Sequence, residues 1–242
     1  MLILRSIAYS IAFYLNTLLW LVVALPTFFL PYRAVMWIAK NWGRTNLVLL
    51  RFVAGLDCEI RGVEKIPPGP LLVAVKHQSA WETFALLWLF DNPVIILKRE
   101  LEWIPIFGWL MMKGRMVGID RRQGAKALTE MIERARTELA DGRQLIVFPE
   151  GTRRPPGAEP SYKGGVGRLY AAEGVPCLPV ALNSGLFWPR RSILRRPGKV
   201  LVQILDPIPP GLGRKAFLER LQSDIETATD RLIAEAQGAA VS

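Results

Sequence analysis

The chain has 242 residues, of which 51% are hydrophobic, and its 31 Lys and Arg against 21 Asp and Glu give a formal charge of +10. This length suits one globular core with an appendage, and the positive charge favours an anionic partner such as nucleic acid, acidic lipid or a phosphorylated substrate. One His and two Cys are too few for a disulfide framework or a Cys/His metal site, so we expect no metal.

The N-terminal part predicts a membrane anchor. Residues 7–30 carry no charge, and as a helix they would extend about 36 Å, more than the ~30 Å of a bilayer's hydrocarbon core. We expect this helix to span the membrane, with a helix lying in one leaflet as the alternative. Residues 34–54 predict a second, basic amphipathic helix that suits a membrane surface, with an ordinary packing helix as the alternative. The cations that follow the apolar stretch put the rest of the chain on the cytoplasmic side.

From Cys58 onward, short apolar runs alternate with helical stretches, which predicts an α/β domain with a largely parallel or mixed central sheet flanked by helices. We therefore divide the chain into membrane-anchoring helices, 1–57, and an α/β domain, 58–242. The expected strands are 71–75, 94–97, 116–119, 145–148, 178–182 and 200–205, and the clearest helices are 123–140, 164–173 and 214–236.

The only histidine of the chain, His77, follows the first of these strands, and Glu82 stands five residues later. An imidazole suits proton transfer near neutral pH, and a carboxylate beside it would orient the ring. Ser79 and Glu82 also match the Ser-x-x-Glu capping box, with Ser79 as N-cap of a new helix. Glu82 therefore has two possible partners, the imidazole of His77 and the backbone amide of Ser79. The amides at this helix start, residues 78–81, are candidate oxyanion donors.

The strand 145–148 leads directly into Pro149-Glu-Gly-Thr-Arg153. Ligands of open α/β sheets lie beyond the carboxyl ends of strands. Gly151 would let the backbone approach a ligand, Thr152 adds a hydroxyl, and Arg153 can bind a phosphate through two N–H groups. A charged surface turn is the alternative.

Two further segments are less specific. The strand 116–119 delivers Asp120, Arg121 and Arg122 to its end, where cations would suit an anionic substrate, with a solvated basic turn as the alternative. The segment 174–182 has prolines on both sides of a strand entrance and contains no catalytic group. By itself it is typical of core structure.

Taken in order, these motifs resemble the glycerolipid acyltransferase family: His-x4-acid, Gly-x-x-x-Gly-Ile-Asp-Arg, Phe-Pro-Glu-Gly-Thr-Arg and Val-Pro-x-x-Pro-Val, over roughly residues 60–210. The resemblance is strongest to the members that acylate the sn-2 hydroxyl of lysophosphatidic acid in phospholipid synthesis. It implies that His77 is the general base, with Glu82 where the family usually has Asp. It also implies an acyl-CoA or acyl carrier protein as co-substrate, no bound cofactor, and a location at the bacterial inner membrane with the catalytic domain on the cytoplasmic face.

The resemblance also implies a set of substrate-binding residues, with the arginines on the acceptor phosphate and the last three on the acyl side: Lys98, Gly114, Arg121, Glu150, Gly151, Thr152, Arg153, Val175, Pro176 and Pro179. Membrane lipid, lysophosphatidic acid and the acyl donor are the expected partners, and nucleic acid is not. Two alternatives remain open. One is an acyltransferase for another acceptor, such as glycerol 3-phosphate or a lyso-aminolipid. The other is a non-catalytic protein that binds acidic lipid.

Overall fold

The computed structural model describes residues 1–238 and, at Arg121, the backbone alone. Within this part of the chain the α-helices are α1 Leu2–Ala24, α2 Tyr32–Leu49, α3 Trp81–Ala85, α4 Phe107–Lys113, α5 Ala125–Ala140, α6 Gly164–Glu173 and α7 Arg214–Gly238. The strands are β1 Leu56–Arg61, β2 Leu71–Val75, β3 Pro93–Lys98, β4 Val117–Ile119, β5 Gln144–Val147, β6 Cys177–Leu182 and β7 Gly198–Ile204.

All seven strands form one mixed sheet in the order β1-β7-β6-β2-β5-β3-β4. β2 pairs in parallel with β5 and β6, and β3 pairs in parallel with β4 and β5. β7 runs antiparallel to β6, and β1 lies parallel to β7 at the edge. The predicted mixed α/β sheet is therefore confirmed, and each of the six expected strands is found within two residues of its predicted limits.

The strand that the sequence did not predict is β1. Its residues alternate apolar Leu56, Cys58 and Ile60 with charged side chains, and only Leu56 is fully buried. Charged side chains are common on edge strands because they discourage pairing with other chains. A search for short apolar runs misses such a strand.

β2 lies at the centre of the sheet, and all five of its residues are buried because helices cover both faces. Leu71, Val73 and Val75 pack on the side of α2 and α3. Leu72 and Ala74 pack on the opposite side, among side chains of α5, α6 and α7. This alternation decides the direction of the residues that follow β2, and His77 is one of them.

The N-terminal helices α1 and α2 form an antiparallel hairpin. Polar side chains link the two helices, since Trp20 Nε1 donates to Thr45 Oγ1 at 2.9 Å and Trp42 Nε1 donates to Thr17 Oγ1 at 3.0 Å. Tyr9 of α1 is buried in the same hydrophobic cluster as β2 residues, so the hairpin packs directly on the α/β domain.

The outward face of α1 exposes a row of large apolar side chains: Ile7, Ile11, Leu15, Leu18, Leu19 and Val22. Among residues 1–238, the helical segment Leu2–Phe29 is the one that is long and apolar enough to cross a membrane. Such a surface supports association with a membrane.

Candidate active site

The predicted site residues converge at the carboxyl edge of the parallel strands. His77 follows β2, the segment 150–153 follows β5, and Lys98 is the last residue of β3. Because these strands are parallel neighbours, their ends meet at one edge of the sheet. Residues far apart in the chain therefore surround a single opening.

His77 and Glu82 are in direct contact. The ring nitrogen Nδ1 of His77 lies 2.9 Å from Glu82 Oε1, and since a carboxylate only accepts, Nδ1–H is the donor. This bond leaves Nε2 as the unprotonated nitrogen of the neutral ring, on the side away from Glu82. The ring also stacks on Phe148, with centroids 3.9 Å apart. Two contacts thus orient the imidazole.

Glu82 also holds the turn around it. Its Oε1 accepts the backbone N–H groups of Gln78 and Ser79, both at 2.7 Å. Its Oε2 accepts the hydroxyls of Ser79 at 2.8 Å and Ser184 at 2.9 Å. The two readings of Glu82 left open by the sequence are therefore both present: the carboxylate pairs with the imidazole and also holds the start of α3.

The predicted N-cap is off by one residue. α3 begins at Trp81, and Ala80 is its N-cap. Ser79 still contributes to the helix start, because its hydroxyl accepts the N–H of Trp81 at 2.9 Å.

Glu82 is 1% exposed. Burial acts to raise the pKa of its carboxyl, but the hydrogen bond and charge attraction of His77, together with the hydrogen bonds of Ser79, outweigh burial and hold the pKa below its ordinary value. Glu82 is therefore a carboxylate at neutral pH. A negative charge at this place stabilises an imidazolium when His77 takes up a proton.

The amides proposed as oxyanion donors are mostly engaged within the turn. Those of Gln78 and Ser79 donate to Glu82, and that of Trp81 donates to Ser79. This part of the prediction is wrong for these three amides. Two of them already donate to the carboxylate of Glu82, and the third already donates to the hydroxyl of Ser79.

A cavity of about 580 Å³ opens beside His77 and extends between α1, α2, β3 and α4. The polar and cationic side chains that line it are exposed or half-buried, and we call the end that they form its mouth: His77, Lys98, Thr152, Arg153, Arg190 and Arg191. Its interior is apolar and includes Trp20, Val35, Ile38, Ala39, Ile96 and Leu110. A cationic mouth on an apolar cavity fits a ligand with an anionic group and a long hydrocarbon part.

Gly151, Thr152, Arg153 and Lys98, which the sequence predicts to bind substrate, all line this mouth. Gly151 has φ +64°, a left-handed conformation that favours glycine and turns the chain sharply after β5. Glu150 differs from its neighbours because its side chain is 1% exposed and approaches Lys76 at 3.3 Å, away from the cavity wall.

Other predicted substrate-binding residues lie elsewhere. Gly114 ends α4 and its carbonyl accepts a hydrogen bond from the buried Arg143 at 3.1 Å. Val175, Pro176 and Pro179 belong to the entrance and first half of β6 and do not line the cavity. Pro176 is level with the start of β2, which places it roughly 20 Å from His77 at 3.3 Å per strand residue.

For Arg121 the structure describes only the backbone, in the short helical turn after β4. The role predicted for its side chain therefore lies outside what the structure describes and stays a prediction. Among residues 1–238, apart from that side chain, no group of three or more His, Cys, Asp and Glu could hold a metal ion.

Sequence reasoning missed Arg190, Arg191 and Ser184. The two arginines line the mouth, and Arg190 donates to the backbone carbonyl of Arg153 at 2.9 Å. The signal was the basic, Trp-containing segment after β6. Ser184 had no such signal, because it reaches Glu82 from 102 residues further along the chain.

Comparison with known proteins agrees with the motifs. Residues 57–183 match the sequence profile of the family described as Acyltransferase. The chain is 39% identical over 176 residues to the 1-acyl-sn-glycerol-3-phosphate acyltransferase of Pseudomonas aeruginosa, which covers 72% of this chain and 68% of that protein. It is 30% identical over 207 residues to the mouse 1-acyl-sn-glycerol-3-phosphate acyltransferase alpha, covering 83% of this chain and 71% of that one.

A solved structure is also similar over nearly the whole chain. The crystal structure of the 1-acyl-sn-glycerophosphate (LPA) acyltransferase from Thermotoga maritima superposes with a TM-score of 0.81 at 26% identity, covering 97% of this chain and 98% of that one. The similarity therefore includes the N-terminal hairpin as well as the α/β domain.

Proposed function

The chain belongs to the acyltransferase family, and within that family we propose that it transfers a fatty acyl group from an acyl thioester to the sn-2 hydroxyl of lysophosphatidic acid, giving phosphatidic acid. The observation that carries this proposal is the His77–Glu82 pair at the cationic mouth of an apolar cavity. The names of the similar proteins support lysophosphatidic acid as the acceptor.

In the proposed mechanism, Nε2 of His77 removes the proton of the acceptor hydroxyl as its oxygen attacks the thioester carbonyl. The tetrahedral intermediate collapses by breaking the C–S bond. The imidazolium then returns its proton to the leaving sulfur, so that the products are the new ester and a free thiol. Glu82 keeps the ring oriented and balances the positive charge that the ring carries between these two steps.

The substrate supplies the nucleophilic hydroxyl, so no acyl-enzyme forms. The acceptor phosphate would be bound by Arg153, with Thr152 and Lys98 beside it, since guanidinium and ammonium groups recognise phosphate through charge-assisted hydrogen bonds. The apolar interior would hold an acyl chain. Either acyl-CoA or acyl carrier protein suits this arrangement, and no bound cofactor enters the reaction.

We further propose that the exposed apolar face of α1 contacts the lipid of the bacterial inner membrane, on its cytoplasmic side. Support comes from the row of exposed aliphatic side chains and from the cations of α2 and its flanks, among them Arg33 and Arg44. Because Trp20 and Leu21 of α1 line the same cavity as His77, this cavity is the route that we propose for a lipid acceptor from the bilayer to the base.

One assay tests the function. Purified protein is given acyl-CoA or acyl carrier protein as donor and a panel of lysophosphatidic acid, glycerol 3-phosphate and lyso-aminolipid as acceptors, while thiol release and lipid product are measured. We expect thiol release that depends on lysophosphatidic acid. A preference for glycerol 3-phosphate or the lyso-aminolipid would replace the proposed acceptor, and vesicle binding without thiol release would overturn the enzyme reading.

The variant His77→Ala identifies the base. Its turnover should fall by at least about 10²-fold, the lower range for a positioned general base. The fold should persist because Glu82 keeps four of its five donors. Near-normal turnover by the folded variant would remove His77 from the mechanism.

A further inference from the structure

A buried ionic cluster lies behind the site, on the opposite face of the sheet from the cavity. Lys76 is 3% exposed and Glu150 is 1% exposed, and Lys76 Nζ lies 3.3 Å from Glu150 Oε2. Lys76 immediately precedes His77, and Glu150 immediately precedes Gly151. One buried contact thus joins the two loops that carry the base and the phosphate-binding motif.

The direction of Lys76 follows from the alternation along β2. Residues 72 and 74 face α7, so residue 76 faces α7 as well and His77 faces the cavity. The backbone N–H of Lys76 donates to Val180 at 2.9 Å, which extends the sheet up to His77. The position of the Lys76 side chain therefore bears directly on the orientation of His77.

Glu226 of α7 completes the cluster. Both of its carboxylate oxygens accept from Lys76 Nζ, at 2.7 and 2.8 Å, and Oε1 also accepts from the hydroxyl of Tyr162 at 2.9 Å. The helix itself is fixed by buried apolar residues, including Ile225 beside Glu226. Glu226 is thus held in place by its helix and is the nearer of the two carboxylates that contact Lys76.

Without Glu226, the buried ammonium of Lys76 would keep only the 3.3 Å contact to Glu150. A buried charge that loses its main partner is costly, and the loop around it shifts to regain solvent or another acceptor. The loops of His77 and Gly151 would shift together, because both are attached to the same ammonium.

We infer that Glu226 is a positioning residue, which holds Lys76 and through it sets the relative placement of His77 and the segment 151–153. It does not touch substrate. This inference rests on the proposed acyl transfer, since its consequence is read as turnover.

The test compares Glu226→Gln with Glu235→Gln in the full-length protein. Glu235 is a matched control on the same helix, because both of its oxygens bind Arg61, at 2.7 and 2.8 Å, far from the site at the β1 edge. We expect Glu226→Gln to lower kcat by about 10- to 100-fold, since misplacement of about 1 Å has effects of this size. The KM for the acyl thioester should stay within about twofold, because the apolar interior of the cavity is built from residues outside the two loops that the cluster joins.

A double variant shows whether the effect passes through Lys76. Lys76→Met should cause a similar loss, and the double variant with Glu226→Gln should be within about threefold of the more impaired single variant. If the losses multiply instead, the two residues act independently and the inference is wrong. Where Glu226→Gln fails to fold, Glu226→Asp replaces it, and we expect a loss of about 3- to 10-fold from withdrawing the carboxylate by one methylene.

The inference is overturned if Glu226→Gln turns over within about twofold of Glu235→Gln, or if any loss of kcat is matched by an equal loss of folded protein. A wild-type protein that releases no thiol with any acceptor would refute the proposed function, and the positioning role with it. Wild-type activity with unimpaired Glu226 variants would refute the positioning role alone.

Discussion

Replacing Glu82 by Gln removes the charge of the carboxylate while keeping its shape. The side-chain amide oxygen would take the place of Oε1, which receives three N–H donors, from His77, Gln78 and Ser79. The amide NH2 would take the place of Oε2, facing the hydroxyls of Ser79 and Ser184. A hydroxyl can rotate and accept where it previously donated, so both serine oxygens keep a hydrogen bond to residue 82 and we expect the variant to fold, with some loss of stability because the two buried O–H groups lose their acceptor.

What the variant loses is the attraction between Glu82 and the imidazolium form of His77. The two groups are 2.9 Å apart at their closest atoms, and charges about 4 Å apart interact by about 4 kcal/mol at an effective dielectric of 20. The amide dipole keeps part of this interaction. We therefore expect the barrier to rise by about 3–4 kcal/mol, which lowers kcat by about 10²- to 10³-fold.

The assay is thiol release at saturating lysophosphatidic acid, with Glu82→Asp as the control. Asp restores the charge at a shorter reach and is the usual family residue, so its activity should lie between those of the wild type and the Gln variant. If the Gln variant turns over within about tenfold of wild type, the carboxylate charge is not needed in the transition state. If Asp and Gln are equally impaired, the charge alone does not restore activity, and the reach of the carboxylate matters as much as its charge.

Acid dependence provides a second reading of the same substitution. The pKa of Glu82 is lower in the folded chain than its ordinary value, so the carboxylate stabilises the fold above that ordinary value of 4.5. This contribution is lost as pH falls through the folded-state pKa. The difference in free energy of unfolding between wild type and Glu82→Gln should therefore shrink on acidification below about pH 4. If this difference in free energy of unfolding instead grew on acidification, the pKa of Glu82 would be raised in the folded chain and not lowered.

Two further variants test the ends of the cavity. Arg153→Ala should raise the KM for lysophosphatidic acid by about 10-fold or more, with a smaller effect on the KM for the thioester, as expected for a charge-assisted phosphate contact. The control is Arg168→Ala at an exposed position, and an unchanged KM for lysophosphatidic acid in Arg153→Ala would contradict the phosphate role. Ala39→Phe, which narrows the apolar interior, should shift the preferred acyl chain of the donor to a shorter length, whereas Val48→Phe on the exposed side of α2 should not. Identical chain-length profiles for wild type and Ala39→Phe would show that the acyl chain does not occupy this cavity.

The sheet was largely predictable because its inner strands are buried on both faces and read as continuous apolar runs. Leu71–Val75 has the limits that its sequence indicated. The edge strand Leu56–Arg61 was not predictable in this way, since its charged residues interrupt the pattern. α4 was also not predicted, because its seven residues are too few to show the helical period that would distinguish it from an apolar loop.

The site was predictable where contacts are local in the chain. The spacing of His77, Ser79 and Glu82 indicated both roles of the carboxylate. The direction of the Glu150 side chain could not be predicted from the sequence. It depends on Lys76 and Glu226, which are 74 and 76 residues away in sequence. Motif membership therefore located the loop after β5 correctly, while only the fold shows which of its side chains face the cavity.

The enzyme proposed here has no nucleophile of its own, and this explains why so many contacts converge on one imidazole. A hydroxyl that arrives with the substrate is held only by non-covalent contacts, so the base that it meets must already be in the correct orientation. His77 is held at Nδ1 by Glu82, on its ring face by Phe148, and at its carbonyl by the N–H of Arg154, 2.8 Å away. If preorganisation is the main contribution of these contacts, their removal should lower kcat far more than it raises the KM for the acyl thioester. The Glu82 and Glu226 variants should share this pattern, although only Glu82 touches the ring.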